Sequence, residues 1–106
     1  MNWQTVCESS DLLPMVGARA LLNGEQIAMF RVRDKLFAIQ AVDPFTNAAV
    51  LARGIVGSLK DQIVVASPLL KQHFNLETGY CLEDESVSVK TYGIREADGK
   101  IELAAQ

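Results

Sequence analysis

Apolar and polar residues alternate with a period of two through the first part of the chain, a pattern typical of β-strands. The segments that carry it are residues 3–7, 18–22, 26–33 and 36–42. In the third segment one face is expected to hold Ile27 and Met29, and the other Ala28, Phe30 and Val32. The fourth segment is also apolar on both faces, so we expect it to be covered on both sides.

Turn residues separate these segments. Asn23-Gly24 and Asp98-Gly99 favour tight hairpins because both residues of each pair accept positive φ. Asp34-Lys35 is predicted as the turn between the third and fourth segments. Near the N-terminus, Ser10 or Asp11 is expected to cap a short helical turn that ends before Pro14.

The pattern becomes less regular after residue 42. Pro44 predicts a loop at 43–47, because proline restricts the residue before it and cannot donate to a ladder. Residues 48–58 are compatible with a helical turn or a packed irregular loop, and we predict a loop because Gly54 and Gly57 interrupt the apolar run. Further strands are predicted at residues 62–66, 74–82, 86–94 and 100–103. With no helical periodicity, the fold class is all-β and antiparallel, a small sandwich or partly open barrel formed by residues 1–106 as one domain.

Composition narrows the possible functions. The 106 residues carry a formal net charge of -3, and the ten Lys and Arg residues are scattered, so we expect no nucleic-acid partner. No apolar run approaches the roughly 18 residues that a membrane span needs, and no basic segment precedes an apolar one at the N-terminus. A cytoplasmic protein is therefore expected, with Cys7 and Cys81 free and reduced.

One stretch carries a more specific signal. In residues 66–82 a Ser67-Pro68 loop is followed by Phe74 and Leu76 at alternate positions. A turn is predicted at Glu77-Thr78-Gly79, after which Tyr80 and Leu82 resume the alternation. This stretch resembles the second cluster-binding loop of Rieske-type proteins, in which Cys-Pro-x-His precedes a Phe-x-Leu-x-Thr-Gly hairpin. The cysteine position is Ser67, and the histidine position is Leu70.

The first cluster-binding loop of that family, Cys-x-His, corresponds to Asp43 and Phe45. The resemblance thus implies a Rieske-like domain in which all four ligand positions are replaced. A Rieske centre needs two thiolates on one iron and two imidazoles on the other, whereas this chain has one histidine in total. We therefore expect no metal and no cofactor in this chain.

A Rieske-like domain of this length without ligands is similar to the small-subunit family of bacterial cytoplasmic NAD(P)H-dependent nitrite reductases. That resemblance implies an accessory subunit of an oxidoreductase of nitrate assimilation, with no catalytic residues of its own. It would dock to a large subunit that carries flavin, an iron-sulfur cluster and sirohaem and reduces nitrite to ammonium. The alternatives are a free-standing Rieske-like ferredoxin, which the missing ligands oppose, and a generic β-sandwich interaction module.

The replaced positions leave two interpretations open. Phe45, Leu69 and Leu70 could form an exposed apolar tip, and such patches mark contacts with other proteins. Alternatively, the side chains fold inward and fill the space that a cluster would occupy. Both can hold together, with Leu70 inside and Leu69 or Phe45 outside. Phe45 and Leu69 are the predicted docking residues.

Other candidate sites have weaker support. Ser67, His73 and Asp43 are the residue types of a hydrolytic triad, but no nucleophile elbow surrounds Ser67. His73 and Cys81 would supply only two of the four ligands of a structural zinc ion. His73 is therefore expected to be an exposed or hydrogen-bonded strand residue. The acidic run at 83–85 is expected to be a solvated turn.

Overall fold

The computed structural model describes residues 2–105. Within this range the chain forms β-strands joined by turns, loops and two short 3-10 helices, at Ser9–Asp11 and Leu51–Arg53. The strands are β1 (Gln4–Glu8), β2 (Ala18–Leu22), β3 (Glu25–Val32), β4 (Lys35–Gln40), β5 (Ile55–Leu59), β6 (Gln62–Ala66), β7 (His73–Asn75), β8 (Tyr92–Ala97) and β9 (Lys100–Ala105). None of the helices in residues 2–105 is long and apolar enough to cross a membrane.

The strands form three antiparallel sheets of three strands each, in the orders β1-β9-β8, β2-β3-β4 and β5-β6-β7. The β2-β3-β4 sheet is central. Ala28 and Phe30 on one of its faces share a core with buried residues of β6 and β7. Ile27 and Met29 on the other face share a second core with residues of β8 and β9. The all-β prediction and the expected burial of β4 on both faces are confirmed, and β3 is buried on both faces as well.

The two cysteines lie on opposite sides of this central sheet. Cys81 is buried in the core shared with β6 and β7, and Cys7 packs against the core shared with β8 and β9. Both thiols are free. Burial is the largest cause that raises the pKa of each thiol above its ordinary value, so neither thiol is activated as a nucleophile.

The glycine-containing hairpin turns are confirmed. Asn23 and Gly24 have φ values of 53° and 82°, and the Asp98-Gly99 pair has φ values of 52° and 76°. The predicted Asp34-Lys35 turn is wrong by one residue, because Lys35 pairs with Val32 and the turn is formed by residues 33 and 34. This register places Phe30 opposite Phe37 in the same core, and core packing decides register when one face is buried.

The predicted loop at residues 48–58 is also wrong in part. It contains the Leu51–Arg53 helix and most of β5, which pairs with β6. Val56 lies opposite Val65, and both side chains contact the same core. Gly57 interrupts the alternation but does not end the strand, because its position is open and pairs with Val64. Burial of apolar side chains therefore overrides the weak strand propensity of glycine.

The N-terminal helical turn is present without the expected cap. The 3-10 helix Ser9–Asp11 follows Glu8, and no side chain caps it. Instead, the guanidinium of Arg31 donates to the carbonyl of Leu12 over 3.0 Å and to that of Ser9 over 3.2 Å. A cation from the central sheet thus satisfies carbonyls that an ordinary helix end would leave to solvent.

The Phe-x-Leu-x-Thr-Gly hairpin has the turn that was predicted near Glu77-Thr78-Gly79, after the short strand β7. The side chain of Asn75 accepts the N–H groups of Glu77 and Thr78 over 2.7 and 2.9 Å and so closes the turn. Gly79 has a φ of 84°, and a Cβ there would collide with the Val89 carbonyl. The segment after the turn pairs through isolated bridges. The predicted strand at 86–94 is right only in its last three residues, because β8 begins at residue 92 and continues to residue 97.

Candidate functional site

Two six-residue loops meet at one end of the molecule and share one construction. We call residues 43–48 the first loop and residues 67–72 the second loop. In the first loop, the Asp43 N–H donates to the Ala48 carbonyl over 2.8 Å, and the Asn47 N–H donates to the Asp43 carbonyl over 2.7 Å. The second loop repeats both bonds at equivalent positions, over 2.9 and 3.0 Å.

The match extends to the side chains. The N–H of Phe45 donates to Oδ1 of Asp43 over 2.8 Å, and the N–H of Leu69 approaches Oγ of Ser67 at 3.4 Å. In each loop the first residue therefore folds its side chain back onto the third residue, as Asx and Ser/Thr turns do. The fifth residue of each loop lies in the left-handed region, with φ values of 59° and 65°.

A buried hydrogen bond joins the two loops. The hydroxyl of Ser67 donates to Oδ2 of Asp43 over 2.5 Å. We call this bond the Asp43–Ser67 clamp. Within residues 2–105 these are the two buried side chains of polar or charged type, and both are almost completely inaccessible. A continuous line of hydrogen bonds thus runs from the Phe45 N–H through the clamp to the Leu69 N–H.

The residues at the four former ligand positions do not fit a [2Fe-2S] centre. The two cysteine positions hold the carboxyl and hydroxyl of the clamp, and these oxygens are hydrogen-bonded to each other. The two histidine positions hold Phe45 and Leu70, whose side chains have no lone pair to donate. A Rieske centre requires two thiolates and two imidazoles, so this donor set cannot hold one.

The apolar side chains of both loops lie on the outside. Phe45, Leu69 and Leu70 are 36%, 52% and 54% exposed, respectively, and we call them the apolar tip. The expectation that Leu70 fills a vacated cavity is wrong. More than half of the Leu70 side chain is exposed, while the clamp joins the loops and the Phe45 ring lies 6.2 Å from the buried ring of Phe74.

His73 is not part of a catalytic group with Ser67 and Asp43. Its Nδ1 lies 2.6 Å from Oε2 of Glu83, and its backbone N–H donates to Oε1 of the same carboxylate over 2.7 Å. His73 is therefore the hydrogen-bonded strand residue that was expected, and the triad interpretation fails on geometry. Burial alone would raise the pKa of Glu83, but the hydrogen bonds from His73 outweigh it and lower that pKa.

The weak zinc interpretation finds no support either. Cys81 donates its thiol to Oε1 of Glu83 over 3.7 Å rather than meeting the ring of His73. Across residues 2–105, no three His, Cys, Asp or Glu side chains converge in a way that could hold a metal ion. In the acidic run, Glu83 is tied to His73, while Asp84 accepts both the N–H and the hydroxyl of Ser86. The prediction of a solvated turn is therefore right for Asp84, whose bonds are local, but not for Glu83, which is bonded to a residue of β7.

Sequence reasoning missed the likeness of the two loops, although the chain contains a signal for it. The first loop reads Asp-Pro-Phe-Thr-Asn, and the second reads Ser-Pro-Leu-Leu-Lys. Each places a short polar residue before proline and an apolar residue after it. Such short polar side chains readily bond the backbone two residues on, so the repeated pattern predicts two similar turns.

The whole chain is similar to proteins of known families. The family model of the Rieske-like [2Fe-2S] domain matches residues 2–104. The nitrite reductase (NADH) small subunit of Salmonella typhimurium is 48% identical over 104 residues, which cover 96% of each chain. The chain belongs to the nitrite reductase (NADH) small-subunit family. Within this family, the crystal structure of a proposed NADH-dependent small subunit from Mycobacterium tuberculosis has a TM-score of 0.94 at 44% identity, covering 99% of this chain and 96% of that one.

Two more distant likenesses place this family in context. A nitrite reductase large subunit from Klebsiella oxytoca is 31% identical over 104 residues, which are 98% of this chain but 11% of that protein. A domain like the small subunit thus also occurs inside a much longer chain. The ferredoxin of carbazole 1,9a-dioxygenase from Nocardioides aromaticivorans, at 20% identity, has a TM-score of 0.85 over all of both chains. At that identity the likeness shows the fold alone.

Proposed function

We propose that this chain is the accessory, non-catalytic small subunit of an NADH-dependent nitrite reductase, and that it docks to the large subunit through the apolar tip. The flavin, iron-sulfur cluster and sirohaem needed to reduce nitrite to ammonium belong, in this proposal, to the large subunit. One observation carries the docking role: the loops bury Asp43 and Ser67 in the clamp and expose Phe45, Leu69 and Leu70.

The chemistry of the tip supports binding rather than catalysis. Phenyl and isobutyl side chains cannot transfer protons or electrons, but they are effective anchors, because binding energy concentrates in a few apolar or aromatic side chains. The clamp and the matched backbone bonds hold these side chains in place before binding. A preorganised surface loses less conformational entropy on association.

The fused relative also supports this partner. In the Klebsiella oxytoca protein, a region similar to this chain is part of the same polypeptide as a nitrite reductase large subunit. Covalent linkage keeps two binding surfaces at a high effective concentration, which is useful only where the surfaces work together. A separate small subunit must reach the same contact through affinity, and the exposed tip offers a surface for it.

A free-standing electron carrier is not favoured, because the donor set at the loops does not fit a cluster. The remaining alternative is a β-sandwich interaction module with an unrelated partner. Binding to the large subunit separates these two functions directly, since only the accessory subunit would bind with high affinity and change NADH-dependent nitrite consumption.

The decisive experiment uses Leu69→Asp. Purified variants are titrated into a large subunit prepared without its small partner, and both complex formation and nitrite consumption are followed. We expect Leu69→Asp to weaken association by about 2 kcal/mol or more, which corresponds to roughly 30-fold in Kd. Phe45→Asp should act in the same direction, but its ring also packs near Phe74, so its fold must be checked by circular dichroism.

Leu21→Asp is the matched control. Leu21 is 66% exposed, more than Leu69, and it lies on β2, in a different sheet from the strands β6 and β7 that flank the second loop. Its variant should bind like the wild type. A folded Leu69→Asp variant with wild-type affinity would place the docking surface elsewhere and leave the tip without this role.

Two further expectations accompany this proposal. The cytoplasmic location stays a prediction, and fractionation of cells that express the tagged chain would test it. The assignment of residues 1–106 to one domain also stays a prediction, and a single cooperative unfolding transition seen by two probes would support it.

A further inference from the structure

The exposed charged side chains in the loops and in the segment that follows the first loop are positive, while the carboxylate of Glu83, beside the second loop, is paired with His73. The two loops and the adjoining residues 51–55 contain Arg53 and Lys71, and both side chains are exposed. The chain has thirteen Asp and Glu residues, but Asp43 is the one that falls in these segments, and it is buried in the clamp. The net charge of -3 is therefore carried elsewhere on the molecule.

Both cations lie in segments whose backbone is close to the loops. Lys71 is the fifth residue of the second loop, next to Leu70. Arg53 ends the 3-10 helix, and the following residue, Gly54, packs so tightly that a Cβ there would lie 2.5 Å from the carbonyl oxygen of Ala66, just before the second loop. The first loop is linked to the same helix, because the Val50 N–H donates to the Ala48 carbonyl over 2.9 Å.

Among residues 2–105, neither cation forms an ion pair. The ion pairs found among residues 2–105 involve Arg31, His73, Lys90, Arg95 and Lys100, and none includes Arg53 or Lys71. Many exposed cations serve only solubility. These two differ because they stand beside three exposed apolar side chains with no exposed carboxylate in the same segments.

We propose that the apolar tip binds a depression of the large subunit that is apolar at its centre and bordered by carboxylates. This inference rests on the docking function proposed above and specifies the chemistry of the partner surface. Interfaces commonly combine an apolar core with a polar rim, and complementary rim charges steer the encounter. A second copy of this chain is the wrong occupant, because a twofold contact through the tip would bring like cations together.

The test removes both charges without disturbing the fold. In Arg53→Gln combined with Lys71→Gly, the second substitution suits a residue with a φ of 65°, where glycine carries no Cβ penalty. The matched control is Lys60→Gly, an exposed lysine with a φ of 53° in the turn at the far end of the β5–β6 hairpin. Association with the large subunit is measured by stopped flow at low and high salt.

We expect the double variant to associate about tenfold more slowly than the wild type at about 0.1 M salt. The difference should nearly vanish at about 1 M salt, where the Debye length falls from about 10 Å to about 3 Å. Lys60→Gly should associate like the wild type at both salt concentrations. The double variant and the control should melt at or above the wild-type temperature, since both remove a strained lysine.

Each contrary outcome has a distinct meaning. If the double variant keeps the wild-type rate and salt dependence while Leu69→Asp loses binding, the docking function stands and the carboxylate border is wrong. Faster association of the double variant would also overturn the border, because it would indicate a basic partner surface. If Leu69→Asp also binds normally, the docking function itself fails. A wild-type dimer in sedimentation that Leu69→Asp dissociates would assign the tip to a second copy instead.

Discussion

The loop pair and the β8–β9 hairpin treat polar and apolar side chains in opposite ways. In the hairpin, Ile101 and Leu103 are fully buried, while Arg95 and Glu102 form an ion pair on the outside with Nε and Oε1 at 2.7 Å. In the loops, the carboxyl and hydroxyl of the clamp are buried and the apolar tip faces outward. Burying polar groups costs free energy unless they are hydrogen-bonded, and exposed leucines forgo the gain from burial. Exposing the apolar tip therefore adds little to the stability of the fold. We explain it by the proposed role of the tip in binding a partner.

The largest expected difference is in the free energy of unfolding, when one leucine of each region is replaced by alanine. Leu103→Ala should lower the free energy of unfolding by about 3 kcal/mol, because it leaves a cavity in a packed core. Leu70→Ala should change it by less than about 0.5 kcal/mol, because that side chain is more than half exposed. Urea titrations of both variants measure this difference. Equal losses would mean that Leu70 belongs to the core after all.

A smaller effect is expected at the clamp. Ser67→Ala should cost about 2 kcal/mol, because it removes the donor to a buried carboxyl oxygen of Asp43. Ser58→Ala, at an exposed position of β5, is the control and should change stability by less than about 0.5 kcal/mol. Thermal and urea unfolding measure both variants. A Ser67→Ala protein as stable as the wild type would show that the clamp is dispensable for the fold.

A double-mutant cycle sharpens the same point. Asp43→Ala and Ser67→Ala should be non-additive, because either substitution alone breaks the clamp and leaves one buried partner unsatisfied. The double variant should therefore be more stable than the sum of the single losses predicts. Strict additivity would indicate that the two side chains stabilise the loops independently.

The smallest effect concerns Glu83, next to the loop pair. Its pKa is lowered below the ordinary 4.5 even though burial alone would raise it, because His73 donates to the carboxylate. A carboxyl with a depressed folded-state pKa adds stability that is present above pH 4.5 and is lost as the pH falls through the depressed value. The side chains of His73 and Glu83 are 31% and 45% exposed, so solvent screening limits this to a few tenths of a kcal/mol.

Glu83→Gln should therefore destabilise the protein slightly at neutral pH and have no effect well below pH 4.5. Glu85→Gln, at an exposed neighbouring position, is the control and should change stability at neither pH. Unfolding curves recorded across this range measure both. A Glu83→Gln penalty that grows as the pH falls would contradict the assigned role of this carboxylate.

The fold was predictable wherever local chemistry and core packing agree. The Asn23-Gly24 and Asp98-Gly99 turns and the two-sided burial of β4 follow from residues close in sequence. β5 was missed because Gly54 and Gly57 are breakers by local criteria, whereas the strand depends on the pairing of Val56 with Val65. The strand propensity of a segment does not reveal whether a later segment will pair with it.

The residues of the candidate site were predictable from the sequence. Whether each side chain points into the protein or toward solvent was not. The replacement of all four ligand positions is visible in the sequence, and it identifies the loops. The outward position of Leu70 depends on the clamp, which joins residues 24 positions apart and forms only in the folded protein. Whether an apolar side chain in a loop points inward is decided by what already occupies the interior.

The clamp also determines when the tip acquires its final shape. A metal cluster must be assembled and delivered after or during folding, and iron supply and oxygen affect that step. The bond between Asp43 and Ser67 uses two side chains of the chain itself, so it forms when the loops come together. The tip is therefore complete as soon as the chain has folded, whatever the iron and oxygen levels of the cell at that moment.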